Sequence, residues 1–187
     1  MEIDMADILT MGKNARKASR SLARLGTDKK NEVLSAVAEA IRADADYILE
    51  ENRKDVEQGR VDGMKSGLLD RLTLTQSRIE GMADGVRQVA ALDDPVGEVL
   101  SMKKRPNGLL IGKKRVPFGV IAVIYESRPN VTLDTFGLCF KTGNAVILKG
   151  GSDAINSNIA IAKVIREALK SCGIDETALQ LIDSTDR

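Results

Sequence analysis

Histidine and tryptophan are absent from this 187-residue sequence, and phenylalanine and tyrosine together make up only 3%. Without an imidazole, no Ser-His-Asp or Cys-His pair can operate inside the chain, and histidine metal sites are excluded. The two cysteines, Cys139 and Cys172, are not in a C-x-x-C arrangement. Two lone thiols make no zinc centre, so no metal is expected, and they suit a reducing compartment. So few aromatics leave no base-stacking surface for single-stranded nucleic acid. A net charge of +1 provides no bulk field to recruit nucleic acid or an acidic membrane. The longest apolar run, Val116–Tyr125, is far too short to span a bilayer and carries Pro117 and Gly119. Met1–Arg20 alternates acids, bases and alanines, with no apolar core of a secretion signal. The expectation is a cytoplasmic protein with no membrane or nucleic-acid partner, in which the sequon Asn130-Val131-Thr132 carries no meaning.

What is present is an ordinary globular composition, 43% apolar and 29% charged, long enough for one large domain. Four segments before residue 95 read as helices. From about Asp4 to Leu25, Ile8, Leu9, Ala15, Ala18, Leu22 and Leu25 share one face, and Gly26 stops the run. Thr27/Asp28 reads as the N-cap of the next helix, with Val33, Val37, Ile41, Ala45 and Ile48 at helical spacing. Residues 45–58 are acidic and amphipathic. Ser77 to Leu92 places Ile79, Met82, Val86 and Val89 together before Asp93-Asp94-Pro95 ends it.

Beyond Pro95 the period changes. Val96–Lys103 and Leu109–Arg115 are short β-compatible stretches about the turn Pro106-Asn107-Gly108, a hairpin leaving the main body. Its Lys103, Lys104, Arg105, Lys113, Lys114 and Arg115 form a basic ribbon, either a solvated face or subunit contact, or a phosphate-binding one. Gly119–Ile124 is apolar on both faces, as a buried parallel strand is. A helix over Val131–Lys141, a strand over Asn144–Leu148, a helix over Asp153–Ser171 and a strand from Leu179 to Ile182 follow. The fold class is α/β: N-terminal helices, a protruding β-hairpin, and a right-handed βαβαβ parallel sheet.

In such sheets ligands sit beyond the carboxyl ends of the strands. Two segments occupy that edge. Lys149-Gly-Gly-Ser-Asp153 has the character of an anion or ribose site. Gly150 and Gly151 permit close approach, Ser152 can cap the next helix, whose N-terminus favours a phosphate, and Lys149 adds a positive charge. The structural alternative is a Gly-Gly turn entering a helix. In Tyr125-Glu-Ser-Arg-Pro-Asn130, Asn130 either offers its amide to a developing oxyanion or caps the helix that follows. Arg128 either forks a carboxylate or phosphate or forms a surface ion pair.

These residues carry a resemblance. Val116-Pro-Phe-Gly-Val-Ile-Ala-Val-Ile-Tyr-Glu-Ser-Arg-Pro-Asn-Val131 and Lys141-Thr-Gly-Asn-Ala-Val-Ile-Leu-Lys-Gly-Gly-Ser152 resemble the γ-glutamyl phosphate reductases, a branch of the aldehyde dehydrogenase superfamily. The similarity extends to Asp70-Arg-Leu-Thr73, Arg105-Pro-Asn-Gly108 and Thr185-Asp-Arg187. It implies NADPH-dependent reduction of L-glutamyl 5-phosphate to L-glutamate 5-semialdehyde and phosphate, in proline biosynthesis. In that family a cysteine thiolate displaces phosphate to give a thioester, which is then reduced. Lys149 matches the lysine that reaches the adenosine ribose and its 2′-phosphate, and Asn130 matches the oxyanion-hole asparagine. The nucleophile cysteine has no match in this chain. Cys139 reads as core and Cys172 as a helix end, both inert.

The resemblance divides the chain into a helical part of the cofactor domain (1–95), an oligomerisation-type hairpin (96–116) and the first βαβαβ of the NADP-binding domain (117–187), with the catalytic domain absent. Two expectations follow: an inactive piece of an enzyme, or a complete non-catalytic nucleotide-binding or assembly module on the same scaffold. Either way an open sheet edge predicts self-association into a homo-oligomer.

Overall fold

The computed structural model describes residues 5–184. Asp4, where the first helix is expected to begin, and Thr185-Asp-Arg187 lie outside the described residues. Five helices precede the hairpin: α1 (Met5–Leu22), α2 (Thr27–Ala43), α3 (Ala45–Val61), α4 (Ser66–Leu72) and α5 (Gln76–Ala91). The short α4 has no counterpart in the sequence reading, since its seven residues are too few for a helical period to register. β1 (Val99–Lys104) and β2 (Leu110–Lys114) form the antiparallel hairpin, and β3 (Val120–Ile124), α6 (Asn130–Lys141), β4 (Ala145–Lys149), α7 (Ile155–Ser171) and β5 (Leu179–Leu181) the βαβαβ unit.

The sheet order is β3-β4-β5, all parallel. The strands step in one direction, so crossovers of the usual right hand put α6 and α7 on the same face, where the two helices pack together. α1 packs across β4 on the other face, and α2, α3 and α5 form an outer layer over α6 and α7. The main core has Leu133, Phe136, Val146, Leu148, Ile161 and Ile165 between sheet and helices, and Val33, Val37, Ile41, Ile79 and Val86 between the helical layers; a small second cluster joins Val56, Leu72 and Ala154. No helix among the described residues is long and apolar enough to cross a membrane.

The structure corrects four readings. Ile8 and Leu9, assigned to the inner face of α1, are exposed, while Ala15, Ala18 and Leu22 are buried. The packed stripe therefore begins one to two turns later than the apolar pattern does. Thr27/Asp28 is not the N-cap of α2. Gly26 holds that position with no side-chain bond, and the Thr27 hydroxyl instead donates to the Asp94 carboxylate at 3.1 Å. β3 is not buried on both faces: Ala122 is exposed and Ile124 is 85% exposed. Among the described residues only β4 pairs with it, so its continuous apolar run sits on an edge strand. Ser152 caps nothing, for reasons that belong to the site below.

The hairpin behaves as its turn predicts. Gly108 takes φ +87°, the Asn107 side chain accepts from the Leu109 N–H at 3.2 Å, and every residue of both strands is exposed. At its base lies a buried charge cluster. The Lys30 ammonium, 1% exposed, donates to Asp94 at 2.7 Å. Nearby, buried Lys141 donates to Asn31 Oδ1 at 2.7 Å and to the Ala90 carbonyl at 2.8 Å. Burial works to raise the Asp94 pKa, but the bonds from Lys30, the Val96 N–H and Thr27 prevail and hold it below its ordinary 3.8. A carboxylate so depressed stabilises the fold above its unfolded pKa and loses that contribution as pH falls through the folded value. Asp94→Asn is therefore expected to cost about 1–2 kcal/mol at pH 7. Urea unfolding should show the difference from the parent protein shrinking below about pH 4; a constant difference down to pH 2 would show that the carboxylate's charge is immaterial.

Candidate active site

Three short connections meet at the carboxyl edge of the sheet. The loop after β3 runs antiparallel to nothing and is held instead by its neighbour: the Tyr125 N–H donates to the Lys149 carbonyl at 3.0 Å, and the Ser127 hydroxyl to Asp153 at 2.8 Å. The two segments singled out in the sequence thus lie side by side, Arg128 and Asn130 on one and Lys149, Gly150, Gly151 and Ser152 on the other.

The glycines serve this contact. A Cβ on Gly150 would lie 2.3 Å from Asn158 Nδ2 and 3.1 Å from the Tyr125 hydroxyl. A Cβ on Gly151 would lie 3.4–3.5 Å from the Glu126–Ser127 backbone. The close approach they permit is made by the protein's own chain. Behind them runs a buried polar relay: Tyr125 Oη and Thr132 Oγ1 are 2.6 Å apart, and Thr132 donates to Asn158 Oδ1 at 2.9 Å. Burial raises the Tyr125 pKa against the opposing bond to Thr132, so the phenol stays protonated.

The N-terminus of α7 is already occupied. After a 3-10 turn (Ser152–Ala154), Ala154 holds the N-cap position with no side-chain bond. Asp55 of α3 fills the role from a distance. Its carboxylate, 3% exposed, accepts from the Asn156 N–H at 3.1 Å, the Asn156 amide at 2.8 Å, the Ser157 N–H at 2.8 Å and the Ser157 hydroxyl at 2.5 Å. The free N–H groups and positive dipole end that would receive a phosphate are neutralised by this carboxylate. Exposed Ser152 makes only a 3.4 Å contact with Asp153.

Lys149, at the tip of β4, is half-buried and donates to the Ser184 carbonyl beyond β5. Its ammonium carries three protons, leaving donors for a ligand at the strand ends.

Asn130 is the first residue of α6, and Pro129 occupies the cap position with no side-chain bond. Asn130 is therefore not a cap. Its amide nitrogen donates to Asp134 Oδ2 at 2.9 Å, one turn along the same helix. A carboxylate accepts only, so this bond fixes the Nδ2 end of the amide and leaves its second N–H free. Burial raises the Asp134 pKa, opposed by the Asn130 bond. Both residues line a cleft of ≈ 430 Å³ that also includes Asp70 and Arg71 of the last turn of α4, Thr73 of the α4–α5 connection, Arg78 of α5, and Arg128. This convergence of residues 70–78 with 128–134 was invisible in sequence. Asp70-Arg-Leu-Thr73 registered only as a similar block, without a role, and Asp134 and Asp55 gave no signal.

The cleft and the α7 cap share a brace on α3. Buried Asn52 donates to the Leu72 carbonyl at 2.8 Å and to Ser157 at 3.0 Å, and accepts from the Leu74 N–H at 2.7 Å. Neither cysteine enters the site. Cys139 is buried in the core, and burial pushes its thiol up to about 11, far from a thiolate at neutral pH.

An α/β sheet with a polar crevice at its carboxyl edge is the frame in which the comparisons fall. The aldehyde dehydrogenase family model matches residues 1–187, and the chain belongs to that family. Within it the resemblance is to one branch. The chain is 59% identical over 183 residues to the γ-glutamyl phosphate reductase of Lachnospira eligens, covering 98% of this chain and 44% of that protein. The crystal structure of γ-glutamyl phosphate reductase from Thermotoga maritima superposes with a TM-score of 0.93 at 46% identity, covering 96% of this chain and 43% of that one. The Saccharomyces cerevisiae γ-glutamyl phosphate reductase structure gives 0.90 at 32% identity, covering 99% and 48%. The chain thus spans less than half the length of these relatives.

Proposed function

We propose that this chain is the cofactor-side portion of an NADPH-dependent reductase that converts L-glutamyl 5-phosphate to L-glutamate 5-semialdehyde and phosphate, a cytoplasmic step of proline biosynthesis. The observation that carries the reading is the 59% identity to a γ-glutamyl phosphate reductase along nearly the whole chain, joined to the meeting of both motif loops at one sheet edge. Residues 1–95 and 117–187 belong to the cofactor domain in this reading. The exposed hairpin at 96–116, with Val99, Leu100, Met102, Leu110 and Ile111 uncovered, serves subunit contact in a homo-oligomer.

The residues present fit the ribose end of a nicotinamide dinucleotide. Lys149 offers a cation at the tip of β4 beside exposed Ser152, with the Gly150-Gly151 turn holding both in place, while Asp55 occupies the α7 N-terminus. When bound, the cofactor supplies a hydride. The chain's own residues bind and orient. The free N–H of the Asn130 amide, its other held by Asp134, donates to the acyl oxygen as charge develops there. Arg128, on the cleft rim, holds an anionic group of the substrate. The nucleophile cysteine lies outside these 187 residues.

The test is cofactor binding by calorimetry. NADPH should bind more tightly than NADH, and Lys149→Ala should weaken NADPH by about tenfold while sparing NADH, since only the former carries the 2′-phosphate. Equal weakening of both cofactors, or no binding of either, would sink this assignment.

A further inference from the structure

The cleft between α4, α5 and α6 holds three arginines in two different states. Arg78 is committed. It donates to Asp70 Oδ1 at 2.9 Å, to the Thr73 carbonyl at 2.6 Å and to the Asp70 carbonyl, stapling the α4–α5 connection. Arg71 stands within that stapled segment, and Arg128 faces the same cleft from the loop after β3. Both are exposed, and among the described residues neither guanidinium makes a hydrogen bond or an ion pair. The acids beside them do not cancel their charge. Asp70 is paired with Arg78, and Asp134 is turned to the Asn130 amide. Two unspent guanidinium groups therefore face one cavity, next to an amide N–H that is also unspent.

Guanidinium is a planar, weakly hydrated fork that matches carboxylate and phosphate oxygens, and a rigid mounting reduces what is lost on binding. Arg71 has such a mounting: it lies in the last turn of α4, which is pinned by Arg78 through the Asp70 and Thr73 carbonyls and by Asn52 through the Leu72 carbonyl and Leu74 N–H. Pro129 restricts the loop at Arg128. We infer that Arg71 and Arg128 together form an oxyanion-binding clamp in this cleft, Arg71 being a second substrate-recognition residue contributed by a segment distant in sequence. The identity of the ligand, a small acyl compound bearing carboxylate or phosphate, rests on the function proposed above; the clamp itself rests on the cleft.

The experiment is a heteronuclear NMR titration of the 187-residue chain, following the arginine Nε–Hε resonances at constant ionic strength. Probes are L-glutamate, inorganic phosphate and, as control, chloride. Saturable shifts of both Arg71 and Arg128 are expected with at least one oxyanion. Glutamate alone would assign a carboxylate to the clamp, and phosphate alone the phosphoryl group. Arg71→Ala and Arg128→Ala should each weaken binding by about tenfold. Arg71→Lys, which keeps the charge without the fork, should restore it only in part. Shifts no larger than those in chloride, or affinity unchanged in both alanine variants with unchanged circular dichroism, would overturn the clamp. NADPH titrations of the parent chain and the same variants separate the two ideas. In the alanine variants NADPH binding should stay intact while oxyanion binding falls; in the parent chain, NADPH binding without oxyanion binding removes the clamp alone, and oxyanion binding without NADPH binding removes the cofactor reading alone.

Discussion

Replacing Asp55 with alanine is expected to lower the unfolding free energy by about 4 kcal/mol, the largest effect of any single substitution considered for this chain. The carboxylate is 3% exposed and accepts four hydrogen bonds from Asn156 and Ser157. Truncation leaves two first-turn N–H groups of α7 and two side-chain donors without an acceptor. It also removes the negative charge that complements the helix dipole. An ordinary N-cap loss costs about 1 kcal/mol; here the cap is buried and ties α3 to α7, so water replaces it poorly. Asp55→Asn keeps the shape but turns an NH2 group towards donors, and should recover little. Urea unfolding measures the change, with a fall in thermal midpoint on the order of 10 °C. A loss under about 1 kcal/mol would mean that the α7 N-terminus is satisfied in another way.

Gly150→Ala is the second large effect, with an expected cost of about 3 kcal/mol. Its new methyl would lie 2.3 Å from Asn158 Nδ2. Asn158 is fully buried, and its Oδ1 is bound by Thr132 at 2.9 Å, so the side chain cannot swing away without breaking that bond. The alternative, displacement of the β4 tip, would carry Lys149 with it and weaken cofactor binding as well. Gly151→Ala is the matched control: its methyl meets the Glu126–Ser127 backbone at 3.4–3.5 Å, ordinary contact, and the change should stay within about 0.5 kcal/mol. The double variant Gly150→Ala/Asn158→Ala should recover part of the loss, because Asn158 Nδ2 has no hydrogen-bond partner to forfeit. Additive losses in that cycle would place the strain elsewhere.

Both predictions concern residues whose importance the sequence conceals to different degrees. Gly150 stood out because a Gly-Gly turn at the end of an apolar strand permits close approach to the backbone, and what makes that approach is Asn158. Asp55 is one acid among many on α3, and nothing local separates it from its solvated neighbours. Asn130 was legible as a polar residue closing an apolar strand, but the choice between cap and donor turned on Pro129 taking the cap position and on Asp134 one turn away. β3 read as buried because its residues are apolar on both faces. Its partner count, which decides exposure, is a property of the sheet.

Sequence alone determined the order and type of most elements, the exposed hairpin with its Asn107-Gly108 turn, the absence of histidine chemistry and the inertness of Cys139. Each of these depends on residue identity or on a period of a few residues, and neighbours along the chain carry that information. Tertiary structure decided what fills the α7 N-terminus, which residues face the cleft and which arginines are spent. Asp55 meets Ser157 from 102 positions away, and Arg71 and Arg128 share a cavity only because α5, which follows α4, packs against α6. A side chain's charge is written in the sequence, but its partner is set by packing between distant elements, and the partner determines whether that charge holds the fold together or remains free for a ligand.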